Sequence, residues 1–386
     1  MRFVFTLVIL CFSAVAMATE QAKQLFAEYA PALYQIRLIE NASGEKSSIG
    51  SGFQISPSGV ISTNYHVISG FAQHPEKYQL EYLDHNGEKG YLSLLSVDVV
   101  NDLALVKRDV TEQMSFFPIA TEVPIKGDEI FSLGNPHDLG MIVVPGTYNG
   151  IKSDSFNERI HFTGSVNSGM SGGPVVNNKG EVVGVNVATS GNQIGFLVPQ
   201  DKLSQLVHQY TENGGPPIDQ QIASQLKNNQ SRLLTTLLSS PWQLKTLGKG
   251  AIPNIDVPFM RCWGDSNADK VDDVVFTAVS SCTLDEDIFI SDKFYSGSFD
   301  MQFRWIESRK LNELRFYHLY KKQISNAAMD NKVTKQDVTE FECQHNTVKT
   351  DMDNMKSRAI LCTRAYKKYS GLYDVMFLSA SIDRNT

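Results

Sequence analysis

Short runs in which apolar and polar residues alternate, interrupted by turn formers, fill the first half of the chain. Ile61-Ser62-Thr63-Asn64-Tyr65-His66-Val67-Ile68 follows the turn Ser56-Pro57-Ser58-Gly59 and reads as a β-branched strand with His66 at its end. Leu103 to Lys107 and Glu181-Val182-Val183-Gly184-Val185 read as further strands, and Asn86-Gly87, Asn149-Gly150 and Asn178-Lys179-Gly180 as the turns between them. Many short strands with frequent turns predict a mainly β region of the barrel type.

The period then changes. Pro199 to Tyr210 is helix-like, and Asn213-Gly214-Gly215-Pro216-Pro217 is turn-rich enough to mark a domain boundary. Ile218, Ile222, Leu226, Leu233, Leu234, Leu237 and Leu238 recur at helical spacing, with Pro217 near the start of the helix. Past Thr246, Phe299, Met301, Phe303 and Trp305 alternate as half-buried strand positions, and so do Tyr373, Val375 and Phe377. The expected organisation is a β domain over residues 19–210, a linker with a helix over 211–245, and a smaller α+β domain over 246–386.

Ser168-Gly169-Met170-Ser171-Gly172-Gly173-Pro174 carries the candidate chemistry. A serine hydroxyl attacks an acyl carbon only when a base takes its proton, and the resulting oxyanion needs backbone N–H donors held in a tight turn. Gly169 permits such a turn, so its N–H and that of Ser171 are the candidate oxyanion donors. His66 is the candidate base. Asp102, at the mouth of the apolar run Leu103 to Lys107, is placed to accept from one imidazole nitrogen and fix the tautomer. Taken singly, a core histidine, a strand-end cap and a turn serine explain these residues equally well. Their order, His66, Asp102, Ser171, is one of the known triad orders.

These residues resemble the HtrA/Do (Deg) family of trypsin-fold serine endopeptidases, over roughly Phe26 to Leu206. Phe26 to Ile36 looks like that family's first strand, and Gly50-Ser51-Gly52-Phe53 and Thr63-Asn64-Tyr65-His66-Val67 are similar to its signature segments. Gly134-Asn135-Pro136 with Val143, Val144 and Gly146 resembles its hairpin region, and Gly184 to Ala188 and Ile194 to Pro199 its last two barrel strands. The resemblance implies two six-stranded antiparallel barrels with the triad between them. It implies His66 as base and then acid, Asp102 as its orienter, Ser171 as nucleophile, the Gly169 and Ser171 N–H groups as oxyanion hole, and polypeptides as substrates without metal or organic cofactor.

Two positions depart from the family: Met170 stands where it usually has asparagine, and Thr163 where it usually has aspartate. Met170 either leaves the oxyanion turn less firmly held or packs beneath it. By alignment with trypsin-fold enzymes, Ser165, Val166, Asn186, Val187 and Ala188 line the pocket for the residue before the scissile bond. No acidic residue is among them, which predicts small to medium aliphatic side chains there rather than lysine or arginine.

Arg2, the apolar run Phe3 to Phe12, and Ala16-Met17-Ala18 before Thr19 read as a signal peptide over residues 1–18, cleaved near Ala18. The expected product is exported, periplasmic or secreted, without a stable membrane anchor. Loss of Cys11 leaves Cys262, Cys282, Cys343 and Cys362, an even set in an exported chain and hence two disulfides. Of the three possible connectivities the similar spacings favour Cys262 with Cys282 and Cys343 with Cys362; a metal site is the rival reading, and the lack of a Cys-x-x-Cys pair together with the export signal argues against it. A net charge of −7 without a basic cluster argues against a nucleic-acid partner.

No peptide-binding PDZ pattern follows the β domain. Instead Ser281-Cys282-Thr283 resembles Leu361-Cys362-Thr363, and Tyr295 to Phe303 resembles Tyr369 to Phe377. An internal duplication with disulfide modules at about 255–310 and 335–386 explains this, as does chance likeness between short strings. Asp265, Asn267 and Asp269 open like a calcium loop, but Lys270 and Phe276 occupy positions that need glycine and glutamate. The C-terminal region is a candidate surface for a protein partner. The alternative to a peptidase is a latent or inactive protease-fold binding or chaperone-like protein whose C-terminal modules dock that partner. Oligomeric state is left open.

Overall fold

The computed structural model describes residues 20–382 except 112, 190–193, 240, 285, 326–328, 330, 331 and 350–354. The signal-peptide segment lies outside the described residues. The chain divides into two compact units, Met1–Ile222 and Ala223–Thr386, and the division falls inside a helix.

In the first unit a helical segment, 20–29, buries Leu25 and Tyr29 one turn apart and leads through the turn Ala30–Ala32 into strand β1, Leu33–Glu40. The strand expected from Phe26 therefore begins at Leu33. Its period explains the difference, because residues four apart share one face of a helix. The next strands are β2 (Lys46–Gln54), β3 (Val60–Thr63), β4 (Tyr78–Leu83), β5 (Lys89–Tyr91), β6 (Ser93–Asp98) and β7 (Leu103–Lys107). They pair in the order β5-β4-β1-β2-β3-β7-β6.

This sheet is not the closed six-stranded barrel expected. Its edge strands β5 and β6 are consecutive in sequence, separated only by buried Leu92, so one bent stretch of chain pairs with β4 on one side and β7 on the other. The bend at Leu92 brings the two edges together without a ladder between them.

Strands β8 (Glu129–Gly134), β9 (Ile142–Ile151), β10 (Ile160–Thr163), β11 (Pro174–Val176), β12 (Val182–Thr189) and β13 (Gly195–Pro199) close a true barrel in the order β10-β13-β12-β11-β8-β9. Asn149-Gly150, expected as a turn, lies inside β9. Gly150 at φ 84° marks a bulge there, where the pairing with β10 shifts register. Ile130, Tyr148, Phe162, Val175, Val183 and Leu197 fill the barrel. Each such side chain taken fully out of water contributes roughly 1.5–3 kcal/mol.

Helices α1 (Tyr65–Gln73), α2 (Gln200–Asn213) and α3 (Ile218–Leu237) follow β3 and β13. Of the positions that the sequence spacing marks out, α3 buries Ile222, Leu226, Leu233 and Leu237, whereas Leu234 and Leu238 are exposed. Among the described residues no helix is long and apolar enough to cross a membrane.

The second unit holds two three-stranded antiparallel sheets. Met260–Ser266, Val275–Leu284 and Asp300–Ser308 form one; Glu342–Lys349, Lys356–Ala365 and Tyr373–Ser381 form the other. A disulfide joins Cys262 to Cys282 and another joins Cys343 to Cys362, each between directly opposed residues of the first two strands. On the third strands Met301 lies opposite Cys282 and Met376 opposite Cys362.

The resembling strings set Met301 against Val375, one residue out of step with this register. A one-residue slip turns every side chain to the other face. Met301, Phe303 and Trp305 are accordingly half-buried on the disulfide face, whereas Tyr373, Val375 and Phe377 are exposed and Asp374 is buried. The expectation of a half-buried apolar face at Tyr373, Val375 and Phe377 is thus reversed. Arg364 Nε and the Tyr366 hydroxyl, each 2.7 Å from the Asp374 carboxylate, hold that residue inward.

Candidate active site

His66 is the second residue of α1, in the first turn of a helix rather than at a strand end. The first amides of a helix have no partner within it. Asn64, at the capping position, donates its side-chain amide to the Asp102 carbonyl at 2.7 Å and leaves those amides to others. Asp102 supplies the cap across the sheet, for its Oδ1 accepts the His66 backbone N–H at 2.8 Å. Its Oδ2 lies 2.6 Å from His66 Nδ1. One carboxylate thus fixes both the main chain and the ring of His66. Asp102 stands just before β7 at φ 61°, a left-handed conformation that aspartate tolerates better than most residues.

Main-chain contacts tie Ser171 to the segment that precedes His66. The Ser171 carbonyl accepts the Ser51 N–H at 2.8 Å, and the Ser51 carbonyl accepts the Thr63 hydroxyl at 2.7 Å. The backbone of Gly172 (φ 84°) packs so closely on the segment before His66 that a Cβ there would lie 2.5 Å from Thr63 Oγ1 and 2.8 Å from Asn64 N. Gly172 N–H donates to the Asn186 carbonyl and Asn186 N–H to the Gly173 carbonyl, both at 2.9 Å, which ties the turn to β12.

Gly169 has φ 93°, and a Cβ would stand 2.4 Å from the Asn135 carbonyl oxygen. The residue must be glycine for both reasons. Its carbonyl accepts the Ser51 hydroxyl at 2.7 Å, and that hydroxyl accepts the Asn135 N–H at 2.9 Å. The Ser168 carbonyl accepts the His137 N–H at 2.9 Å. The N–H groups of Gly169 and Ser171 donate to nothing among the described residues. Met170 between them is wholly buried in the apolar filling of the barrel with Val175 and Leu197. Of its two readings, packing beneath the turn is the one the structure bears.

Of the residues assigned to the substrate pocket, Ser165 is half-buried and Val166 packs in the barrel filling. Asn186 is fully buried, its amide oxygen accepting from the Ser132 hydroxyl at 3.0 Å. Val187 packs against the apolar cluster that includes Leu133 and Val185, and Ala188 lies on β12. Sequence reasoning overlooked Ser51, His137 and Asp138. Gly50-Ser51-Gly52 signalled the first by its flanking glycines, while nothing local in the sequence marks the other two.

Residues 50–185 match the family described as trypsin-like peptidase domain. Serine protease HTRA3 of Homo sapiens is 28% identical over 175 residues, covering 43% of this chain and 38% of that protein. Serine protease HTR4 of Rattus norvegicus is 32% identical over 175 residues, covering 43% and 35%. A probable periplasmic serine endoprotease DegP-like of Bartonella henselae is 33% identical over 177 residues, covering 43% and 34%. The chain spans little more than a third of the length of these curated relatives, between 34% and 38%.

Proposed function

We propose, from the premise that this chain carries an HtrA-like trypsin-like peptidase domain, that it is a serine endopeptidase hydrolysing peptide bonds of polypeptides. The observation that carries this reading is the double use of the Asp102 carboxylate on His66, ring and main chain together. With Nδ1–H held by Asp102, the ring's other nitrogen is the basic one and takes the Ser171 proton as the hydroxyl attacks the scissile carbonyl. The Asp102 charge stabilises the imidazolium so formed. The carbonyl oxygen becomes an oxyanion, received by the Gly169 and Ser171 N–H groups. His66 then protonates the leaving amine, and a water activated by the same base releases the acyl group. If the purified protein neither cleaves unfolded casein nor labels at Ser171 with a fluorophosphonate, this reading fails.

The segments Ser165-Val166 and Asn186-Val187-Ala188 border the site for the residue before the scissile bond, which takes small to medium aliphatic side chains. The absence of an acidic side chain, with the Asn186 amide engaged by Ser132, supports this. Digestion of a peptide library is expected to show cleavage after valine, alanine or leucine; cleavage confined to lysine or arginine would overturn it.

Residues 1–18 direct export, with periplasmic action on envelope proteins where the source cell has that compartment. The two disulfides and the DegP-like relative named periplasmic support this. Cell fractionation with N-terminal sequencing is expected to find mature protein beginning near Thr19. The two sheets of the second unit descend from an internal duplication. Their shared order, opposed cysteines and methionine at the same level support that origin, and the exposed Tyr373, Val375 and Phe377 support a surface offered to a protein partner.

A further inference from the structure

We propose that His137 and Asp138 form a latch that sets the plane of the peptide between Ser168 and Gly169, with Asp138 a positioning residue for the oxyanion hole. The inference rests on reading Ser171 as the nucleophile.

Two consecutive residues other than glycine, His137 (φ 53°) and Asp138 (φ 62°), are held in the left-handed region. Such a pair persists only where its surroundings over-determine it. Asp138 supplies that constraint. Its carboxylate accepts from Gln35 Nε2 at 2.6 Å and from Lys46 Nζ, both on strands of the first sheet. Gln35 is buried and accepts in turn from Arg37 Nε at 2.5 Å, and Arg37 pairs with Glu81 at 3.3 Å. The β8–β9 connection is thereby anchored to a polar chain in the other half of the same unit. The bonds from Lys46 and then Gln35 hold the Asp138 carboxyl below its ordinary pKa, so the latch is charged at neutral pH.

The consequence reaches the oxyanion turn through one bond. With Asp138 fixed, the His137 N–H is aimed at the Ser168 carbonyl, 2.9 Å away. A trans peptide is a rigid plane in which C=O and N–H point in opposite directions. Holding the Ser168 carbonyl on His137 therefore turns the Gly169 N–H away from that loop and leaves it to a ligand. The far side of Gly169 is fixed independently, through its carbonyl on Ser51. Without the latch this plane can rotate, because Gly169 tolerates almost any φ, and the donor is lost while the triad stays intact.

Asp138→Gly separates the tether from the backbone conformation, since glycine adopts φ 62° freely yet holds neither Lys46 nor Gln35. Removing an oxyanion donor costs about 10²–10³ in kcat, so a weakened latch is expected to lower kcat about tenfold or more with KM within about twofold. Affinity for a peptide boronate should fall by the same factor, while affinity for a product peptide stays. Asp138→Asn, which keeps an acceptor and tolerates the left-handed conformation, should restore most of kcat. In Ser171→Ala protein, where turnover plays no part, hydrogen exchange at the His137 amide should be about tenfold faster with Asp138→Gly. Wild-type kcat, or unchanged His137 protection, in Asp138→Gly overturns the latch. Failure of the unaltered protein to turn over or label at Ser171 would instead sink the peptidase reading, and the exchange measurement would still decide the latch.

Discussion

The Ser51 hydroxyl donates to the Gly169 carbonyl at 2.7 Å and accepts the Asn135 N–H at 2.9 Å, joining β2, the β8–β9 connection and the oxyanion turn through one oxygen. The side chain is wholly buried, so no water can replace it freely. Ser51→Ala leaves a buried acceptor and a buried donor unsatisfied, a cost of about 1–3 kcal/mol for each such group. Denaturant unfolding should show the loss, and kcat should fall more than KM rises, because the turn loosens before the fold does.

Asp102→Asn tests the shared carboxylate. An amide cannot accept at both of its atoms, so it serves either the His66 ring or the His66 N–H, and the ring is left in the wrong tautomer in part of the molecules. The expected loss in kcat is roughly 10⁴-fold at neutral pH. Steady-state kinetics on a chromogenic peptide measures it; a loss below tenfold would remove Asp102 from the triad.

Met170 stands where the resembling family usually has a polar residue, and it packs in the barrel. Met170→Ala should destabilise the first unit by about 2–5 kcal/mol through the cavity it leaves. Met170→Asn should cost more than an exposed substitution would, because it puts an amide in place of a wholly buried side chain packed in an apolar cluster. A thermal scan that finds Met170→Asn as stable as wild type would mean that polar partners lie within reach.

All three tryptophans, Trp242, Trp263 and Trp305, belong to the second unit, so their emission reports its unfolding alone. The bridges close loops with sequence separations of 20 and 19. Each should contribute roughly 3 kcal/mol by restricting the unfolded chain. Replacing Cys262 and Cys282 by serine, or Cys343 and Cys362, should lower the urea midpoint of tryptophan emission accordingly. Dithiothreitol should do the same to the unaltered protein.

Tyr366 makes the second unit sensitive to alkali. Burial, and then the charge of Asp374, push its hydroxyl well above the ordinary tyrosine pKa. The folded form therefore keeps its proton where the unfolded chain ionises. The stabilisation is complete below about pH 10 and is lost as pH rises beyond it. Urea midpoints read from tryptophan emission should fall as pH rises past about 10, and Tyr366→Phe should flatten that fall.

The sequence determined what local chemistry determines. Glycines around Ser171, the β-branched run before His66, the alternation in the barrel strands and the spacing of Ile222, Leu226, Leu233 and Leu237 each constrain the backbone within a few residues. Most of their readings survive folding, but the element type changes where a helix takes over: His66 opens α1 instead of ending a strand, and the segment from Phe26 is helical before β1 begins at Leu33. The cysteine spacings favoured the observed pairing because opposed hairpin strands bring such positions together.

Tertiary structure decided what depends on distant partners. Only the folded chain sets the Asp102 carboxylate beneath the first turn of α1, 36 residues away in sequence, or places Asp138 against Lys46, 92 residues away. Only the register of the last sheet shows that Tyr373, Val375 and Phe377 face outward, since a pattern of period two names two faces without saying which is covered. Alternation and turn chemistry are properties of neighbouring residues, whereas burial and hydrogen-bond partnership belong to pairs that the chain joins only on folding.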